Sequence, residues 1–325
     1  PRMRSAQRFF TRWQNWLGIL LVVVFVVAAI AAPLLSPNDL KNPGPMKIIG
    51  RPTLLQPQAP SQAAPLGTLS NQASVYHALV WGSRSALAFG LSVTIISLFI
   101  GAVIGLVSAY FGGFLNNFLM RITDALLSFP IIAGIVLVQQ LISIALYNGG
   151  IRVFFQGIGL VTSSGGFIYD PAEFPAMMDF LLDLDPVLIT LILLSWMPYA
   201  RIMNTMVLRI KKTEYVQAAQ IVGARHGRII FKHLLPNAIT PLIVLAARDV
   251  AGMVVLQATF VFIGFGKGSP WATILVSGRD WIYSQGGILT YWWVFVPATL
   301  ALVAFGIGWN LIGDGLNDAL NPRSH

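Results

Sequence analysis

The sequence predicts an all-α integral membrane protein with six transmembrane helices, and three observations carry that prediction. Hydrophobic residues fill 56% of the 325 positions and charged residues only 10%, where a soluble chain carries about 25% charged residues. Mean hydropathy is +0.72. The apolar residues gather into runs of roughly 20, the length of a bilayer-crossing helix, and not into the alternating ten-residue segments of a β-barrel. The net charge of +9 would point to nucleic acid in a soluble chain. Here the bases sit beside apolar runs, so membrane topology accounts for them and no nucleic-acid partner is expected. Cysteine is absent, which removes disulfides, thiolate metal sites and cysteine nucleophiles.

Residues 1–16 carry Arg2, Arg4, Arg8 and Arg12 and no acid, ahead of an apolar run from Leu17 to Leu35. With Ala29-Ile30-Ala31 this shares features with a secretory signal peptide. We read 17–35 as a transmembrane anchor and 1–16 as cytoplasmic. Residues 36–85 are rich in Pro, Gln, Asn and Ser up to about residue 75 and end in Gly82-Ser83-Arg84-Ser85. They lack periodicity and read as an extended extracytoplasmic segment.

A five-helix core is expected over 86–312. It opens with the second span of the chain, from about Ala86 to Tyr110, with Gly90, Gly101 and Gly105 along it, the usual means of close helix packing in lipid. Phe111-Gly112-Gly113 is a tight turn, and the next span reaches about Leu146. Arg121 and Asp124, three apart, share a helix face and form a candidate structural ion pair. Pro130 should kink that helix. Residues 147–185 hold Arg152 against Asp170, Glu173, Asp179, Asp183 and Asp185, an acidic outer loop. It lacks the glycine and terminal glutamate of a helix-loop-helix calcium motif, so a solvated loop and no metal are expected. The fourth span covers about 187–207, with Pro198 inside it. The fifth covers 238–262 and the sixth 289–312, with an outside segment over 263–288 and a cytoplasmic tail over 313–325. No internal repeat is visible.

Between the fourth and fifth spans lies a basic island, 208–236, with Arg209, Lys211, Lys212, Arg225, Arg228 and Lys232 against Glu214 alone. That bias assigns it to the cytoplasm. Tyr215, Ala218, Ala219 and Val222 recur at i, i+3, i+4 and i+7, one helix face. Gly223 interrupts; Ile229, Ile230 and Leu234 begin a second face, which Pro236 should stop. The pattern fits two short amphipathic helices joined at a glycine, or a connecting loop with a helical bias. Small residues such as Ala218 and Ala219 suit a face that another protein approaches closely.

This stretch resembles the cytoplasmic EAA loop of ABC-importer permeases. Ala218, Ala219, Gly223, Leu235 and Pro236 stand where that pattern wants them, and Gln217 takes the place of the motif glutamate. Further stretches resemble one subfamily, the C-type permease subunit of dipeptide, oligopeptide and nickel importers. They are Tyr110-Phe111-Gly112-Gly113 with Met120 to Asp124, Phe262 to Gly266, Ser269-Pro270-Trp271 with Gly278-Arg279-Asp280, and Asn310 to Leu316 with Asp318-Ala319-Leu320 and Pro322-Arg323. The resemblance covers roughly residues 66 to 323. It departs at Gly67-Thr68-Leu69-Ser70, where an aspartate is lost, in a longer acidic loop, and in Arg248-Asp249 placed mid-span.

The resemblance implies the type I ABC-importer permease fold, in a prokaryotic inner membrane with both termini cytoplasmic. It implies half of a pathway, completed by a second homologous permease subunit, with two ATPase subunits gripping the island and an extracytoplasmic substrate-binding protein delivering di- or oligopeptides. The ATPase-coupling residues would be Glu214, Tyr215, Gln217, Ala218, Ala219, Gly223, Ala224, Leu235 and Pro236. The chain itself would be no enzyme and carry no cofactor. It has no phosphate-cradling Gly-x-x-x-x-Gly-Lys loop, and ATP and Mg would bind the partner subunits.

Arg248 and Asp249 are the sharpest chemistry in the spans. An ionised group in mid-bilayer costs ~3 kcal/mol on insertion scales, so each should face protein or water. Neighbours on a helix point about 100° apart, so each needs its own partner. They either line the translocation pathway or pair with the partner permease or another span. The four histidines form no cluster in sequence: His226 and His233 flank the island's second half, and His77 and His325 are isolated. Alternative readings are the same machinery for a nickel chelate or sugar, an ion-coupled secondary transporter using Asp249, and a structural subunit of a larger membrane enzyme.

Overall fold

In a computed structural model, residues 9–10, 12–38, 44–50, 56–128, 130–147, 185–265, 268–282 and 289–320 are described. The acidic loop, but for its end residues Tyr147 and Asp185, lies outside them, as do Arg2, Arg4, Arg8, Arg323 and His325. The helices are α1 (Trp13–Leu35), α2 (Val75–Phe111), α3 (Gly113–Ser128), α4 (Ile131–Tyr147), α5 (Pro186–Ser195), α6 (Met197–Lys211), α7 (Glu214–Ile221), α8 (His226–Arg228), α9 (Leu235–Ala238), α10 (Thr240–Phe262), α11 (Pro270–Arg279) and α12 (Val296–Leu320).

Among the described residues, five stretches are long and apolar enough to cross a bilayer: α1, α2, α5 with α6 (Val187–Lys211), α10 and α12. A sixth results only when α3 and α4 are taken together as one broken span. The sequence suggested one helix kinked at Pro130, but α3 and α4 are separate, and Gly113–Ser128 and Ile132–Leu141 meet at 100°. Proline lacks the donor to continue the ladder, and its ring clashes with the carbonyl four residues back.

α2 is the centre of the bundle, with α1, α5, α6, α10 and α11 packed on it. Its 37 residues span about 55 Å at 1.5 Å per residue, well beyond the ~30 Å hydrocarbon core. It starts eleven residues before the expected boundary because Ser74 caps it, accepting from the His77 N–H at 3.3 Å. Small residues decide the closest approaches. A Cβ at Gly101 would meet the Trp196 carbonyl and, at 2.5 Å, Tyr199 Cβ; one at Gly105 would meet the Ala200 carbonyl and, at 2.8 Å, Met203 Cβ. Backbone therefore touches α6 directly. Polar bonds add to it: Asn204 Nδ2 donates to Ser108 Oγ of α2 at 2.8 Å and to Asn116 Oδ1 of the neighbouring α3 at 2.5 Å. α12 packs on α1 and α10, with Gly18 against Leu311 and Gly308 against Leu21.

Three regions differ from the sequence expectation. The segment before α2 is folded: isolated antiparallel bridges join Ile48 to Ala73 and Thr68 to Ser74, and buried His77 links Ser36 Oγ (2.7 Å) with the Gly44 carbonyl (3.1 Å). Residues 263–288, read from the sequence only as an outside segment, contain α11. Ser269 caps it, accepting from the Ala272 N–H at 3.3 Å, and Pro270 fills its first position, where a missing N–H costs nothing. Its Trp271 is buried between Phe25 and Phe305 and donates to the Leu79 carbonyl at 3.0 Å. Last, α12 runs on through Gly313-Asp314-Gly315 to Leu320, so the first part of the expected tail is helix.

Candidate functional site at the basic island

The island folds as two helical pieces around a glycine. Glu214 sits in the first turn of α7, where a carboxylate favours the positive helix end. The helix closes on Gly223, whose φ of +80° an L-residue rarely adopts. The Gly223 N–H reaches the Gln220 carbonyl and the Ala224 N–H the Ala219 carbonyl, both at 3.0 Å, the paired bonds of a Schellman stop. Arg225 is extended. α8 then widens into a π turn over Ile229–Leu234 and passes into α9. Pro236 does not stop the chain, contrary to its sequence reading. It falls in the first turn of α9, and the wide turn before it relieves the clash between its ring and the carbonyl four residues back.

Two faces result. Val216, Ile229 and Leu234 are buried in one apolar cluster with Ala109, Tyr110 and Tyr199 of α2 and α6. On the other side Ile221, Val222 and Phe231 are 86%, 87% and 70% exposed. Tyr215, Glu214, Gln217 and Ala218 are also exposed, Ala219, Ala224 and Leu235 are half-buried, and Pro236 is exposed. The helix face noted in the sequence therefore points mostly away from the protein's own body. The residue that pins α7 inward, Val216, lay between the positions of that pattern. Large apolar side chains left this open, beside Arg225, Arg228 and Lys232, mark an interaction surface.

Arg248 and Asp249 each find a partner on another helix. Arg248 Nη2 pairs with Asp314 of α12, while Asp249 Oδ2 accepts from the Tyr199 hydroxyl of α6 at 2.6 Å. The two point to different helices, as their 100° offset requires. In the single chain the Arg248 and Asp314 side chains keep 45% and 57% exposure. The expected pair of Arg121 with Asp124 is not made: Asp124 pairs with Arg201 of α6. Helical spacing put Arg121 within reach, but α6 runs beside α3 and offers a guanidinium across the interface. A further pair, Arg12 with Asp318, ties the start of α1 to the end of α12.

His226 meets Tyr110 at 2.5 Å between Nδ1 and the hydroxyl, and the His233 ring lies 6.1 Å from that of Tyr215. Among the described residues no group of three or more His, Cys, Asp or Glu side chains is arranged to hold a metal.

Residues 97–325 match the family described as the binding-protein-dependent transport system inner membrane component. Over almost its whole length the chain is similar to a putative peptide transport system permease protein of Brucella suis biovar 1, at 28% identity over 99% of this chain and 92% of the other. It is 26% identical to the dipeptide transport system permease protein DppC of Alkalihalophilus pseudofirmus, over 94% and 84% of the two chains. With the oligopeptide transport system permease protein OppC of Bacillus subtilis the figures are 25%, 97% and 88%.

Proposed function

The chain belongs to the family of binding-protein-dependent transport system inner membrane components, and from that membership we propose that it is the permease subunit of an ATP-driven importer of di- or oligopeptides. The peptide cargo is supported by the names of its relatives, a dipeptide and an oligopeptide permease among them. The chain forms half of the pathway, and a second permease of the same kind forms the other half. The basic island faces the cytoplasm, where its charge bias belongs. Two ATPase subunits, which bind ATP and Mg, grip it there, and a substrate-binding protein docks on the opposite side.

The observation that carries this reading is the two-faced island: Val216, Ile229 and Leu234 anchored in the bundle, Ile221, Val222 and Phe231 open to a partner. Closure of the ATPase pair moves the open face, and the anchored face carries that rigid-body motion into the spans, giving alternating access. Arg248 and Asp249 hold helices together in this account and do not grip a charged cargo, because each is engaged by another span.

A pull-down tests the proposal. With the chain tagged at its N-terminus and extracted in mild detergent, two ATPase chains and a second permease should copurify, and the complex in vesicles should take up peptide only with ATP. A chain that purifies alone and transports under an ion gradient would overturn the reading and make Asp249 the first residue to mutate.

A further inference from the structure

Tyr110 lies at the end of α2 and His226 opens the second half of the island, and the two side chains meet. The hydroxyl is 2.5 Å from Nδ1, and the rings stand edge to face at 5.6 Å between centroids. Whichever tautomer the imidazole adopts, one group donates and the other accepts, so the link survives. Lys211, at the end of α6, adds a second tie. Its ammonium donates to the Tyr110 carbonyl at 2.6 Å and sits 5.6 Å from the centre of the same ring. That carbonyl is one of the last four of α2, which no helix N–H can reach, and a cation there also complements the negative helix end.

One residue of the central span is thus held from two directions, by the lysine that ends the helix entering the island and by the histidine beyond the Gly223 turn. Among the described residues, the remaining contact between island and bundle is apolar, centred on Val216, Ile229 and Leu234. Apolar packing transmits displacement but is non-directional, so it fixes no single distance or angle between the two surfaces. A hydrogen bond constrains both distance and angle. α1, α5, α6, α10 and α11 all pack on α2.

We propose that Tyr110 and His226 are positioning residues that pass displacement of the island to α2, with Lys211 fixing Tyr110 against α6. This rests on the coupling role proposed for the island. The chain has no cysteine, so a single Phe99→Cys on the exposed side of α2 takes one environment-sensitive fluorophore before the complex is reconstituted. ATP should change its emission in the otherwise unmodified chain. In Tyr110→Phe, which keeps the ring, and in His226→Leu, that change should fall about threefold to about tenfold, the weight of one net hydrogen bond. ATPase subunits should remain bound and hydrolysis should continue. The double variant should be no worse than either single one, and His226→Asn, whose amide can replace Nδ1, should restore the response. An undiminished response in Tyr110→Phe or His226→Leu, additive losses in the double variant, or loss of the ATPase subunits in proportion to the signal would overturn the proposal. Absence of any ATP response in the parent complex is a different result, and it removes the importer reading itself.

Discussion

Glycine serves opposite ends in two regions of this molecule. Along the α2–α6 seam, Gly101 and Gly105 have ordinary helical backbone, and an added Cβ would run into the carbonyls of Trp196 and Ala200. At the island, Gly223 has nothing within 4 Å of an added Cβ but carries φ +80°. The first region needs absence of volume, the second needs a backbone conformation. The seam is therefore built to be rigid and close, as helix pairs in lipid are, and the island is built to turn sharply while leaving its outer face free.

The contrast makes graded predictions. Gly105→Leu should have the largest effect, because overpacking of even ordinary cores costs ~1–3 kcal/mol and here the obstacle is backbone. The purified complex should lose its thermal transition or fail to assemble; retention of normal melting would show that the seam is looser than described. Gly223→Pro comes next. Its ring demands φ near −65° and deletes the N–H that reaches the Gln220 carbonyl. The spans should stay intact while uptake is lost and ATP hydrolysis continues, as measured in vesicles. Unchanged uptake would contradict the transfer of rigid-body motion through the island. Tyr199→Phe, on the rigid seam, leaves the Asp249 carboxyl without its hydroxyl donor, a loss of ~1–3 kcal/mol visible as a lower melting temperature. Gly223→Asn should have the smallest effect, since asparagine tolerates the left-handed region, whereas Asn at Gly105 should behave nearly as badly as Leu. Equal sensitivity at the two positions would erase the distinction.

Much of this was legible in the sequence. Apolar run length indicated the spans, the glycines of α2 indicated close packing, and the bases of 208–236 marked the island. Offset alone implied that Arg248 and Asp249 need different partners. What stayed hidden depends on tertiary packing. Nothing local tells Asp124 to choose Arg201 on another helix over Arg121 one turn away. The helix at Pro270 has Ser269 as its cap and proline behind it, a local signal that an outside-segment reading by run length does not use. Pro236 read as a stop because proline interrupts an α-helix; that a π turn precedes it has no sequence signature. The Tyr110–His226 contact joins positions far apart in the chain and had no pattern to reveal it.

The most direct test of the central claim uses Val222, 87% exposed, in a chain that contains no cysteine. Val222→Cys is exposed to a membrane-impermeant maleimide in inside-out vesicles, with and without co-expressed ATPase subunits. The account predicts rapid labelling of the chain alone and strong protection when the ATPase subunits are present. Equal labelling in both cases would contradict it, because the outer face of the island would then not be where the partner binds.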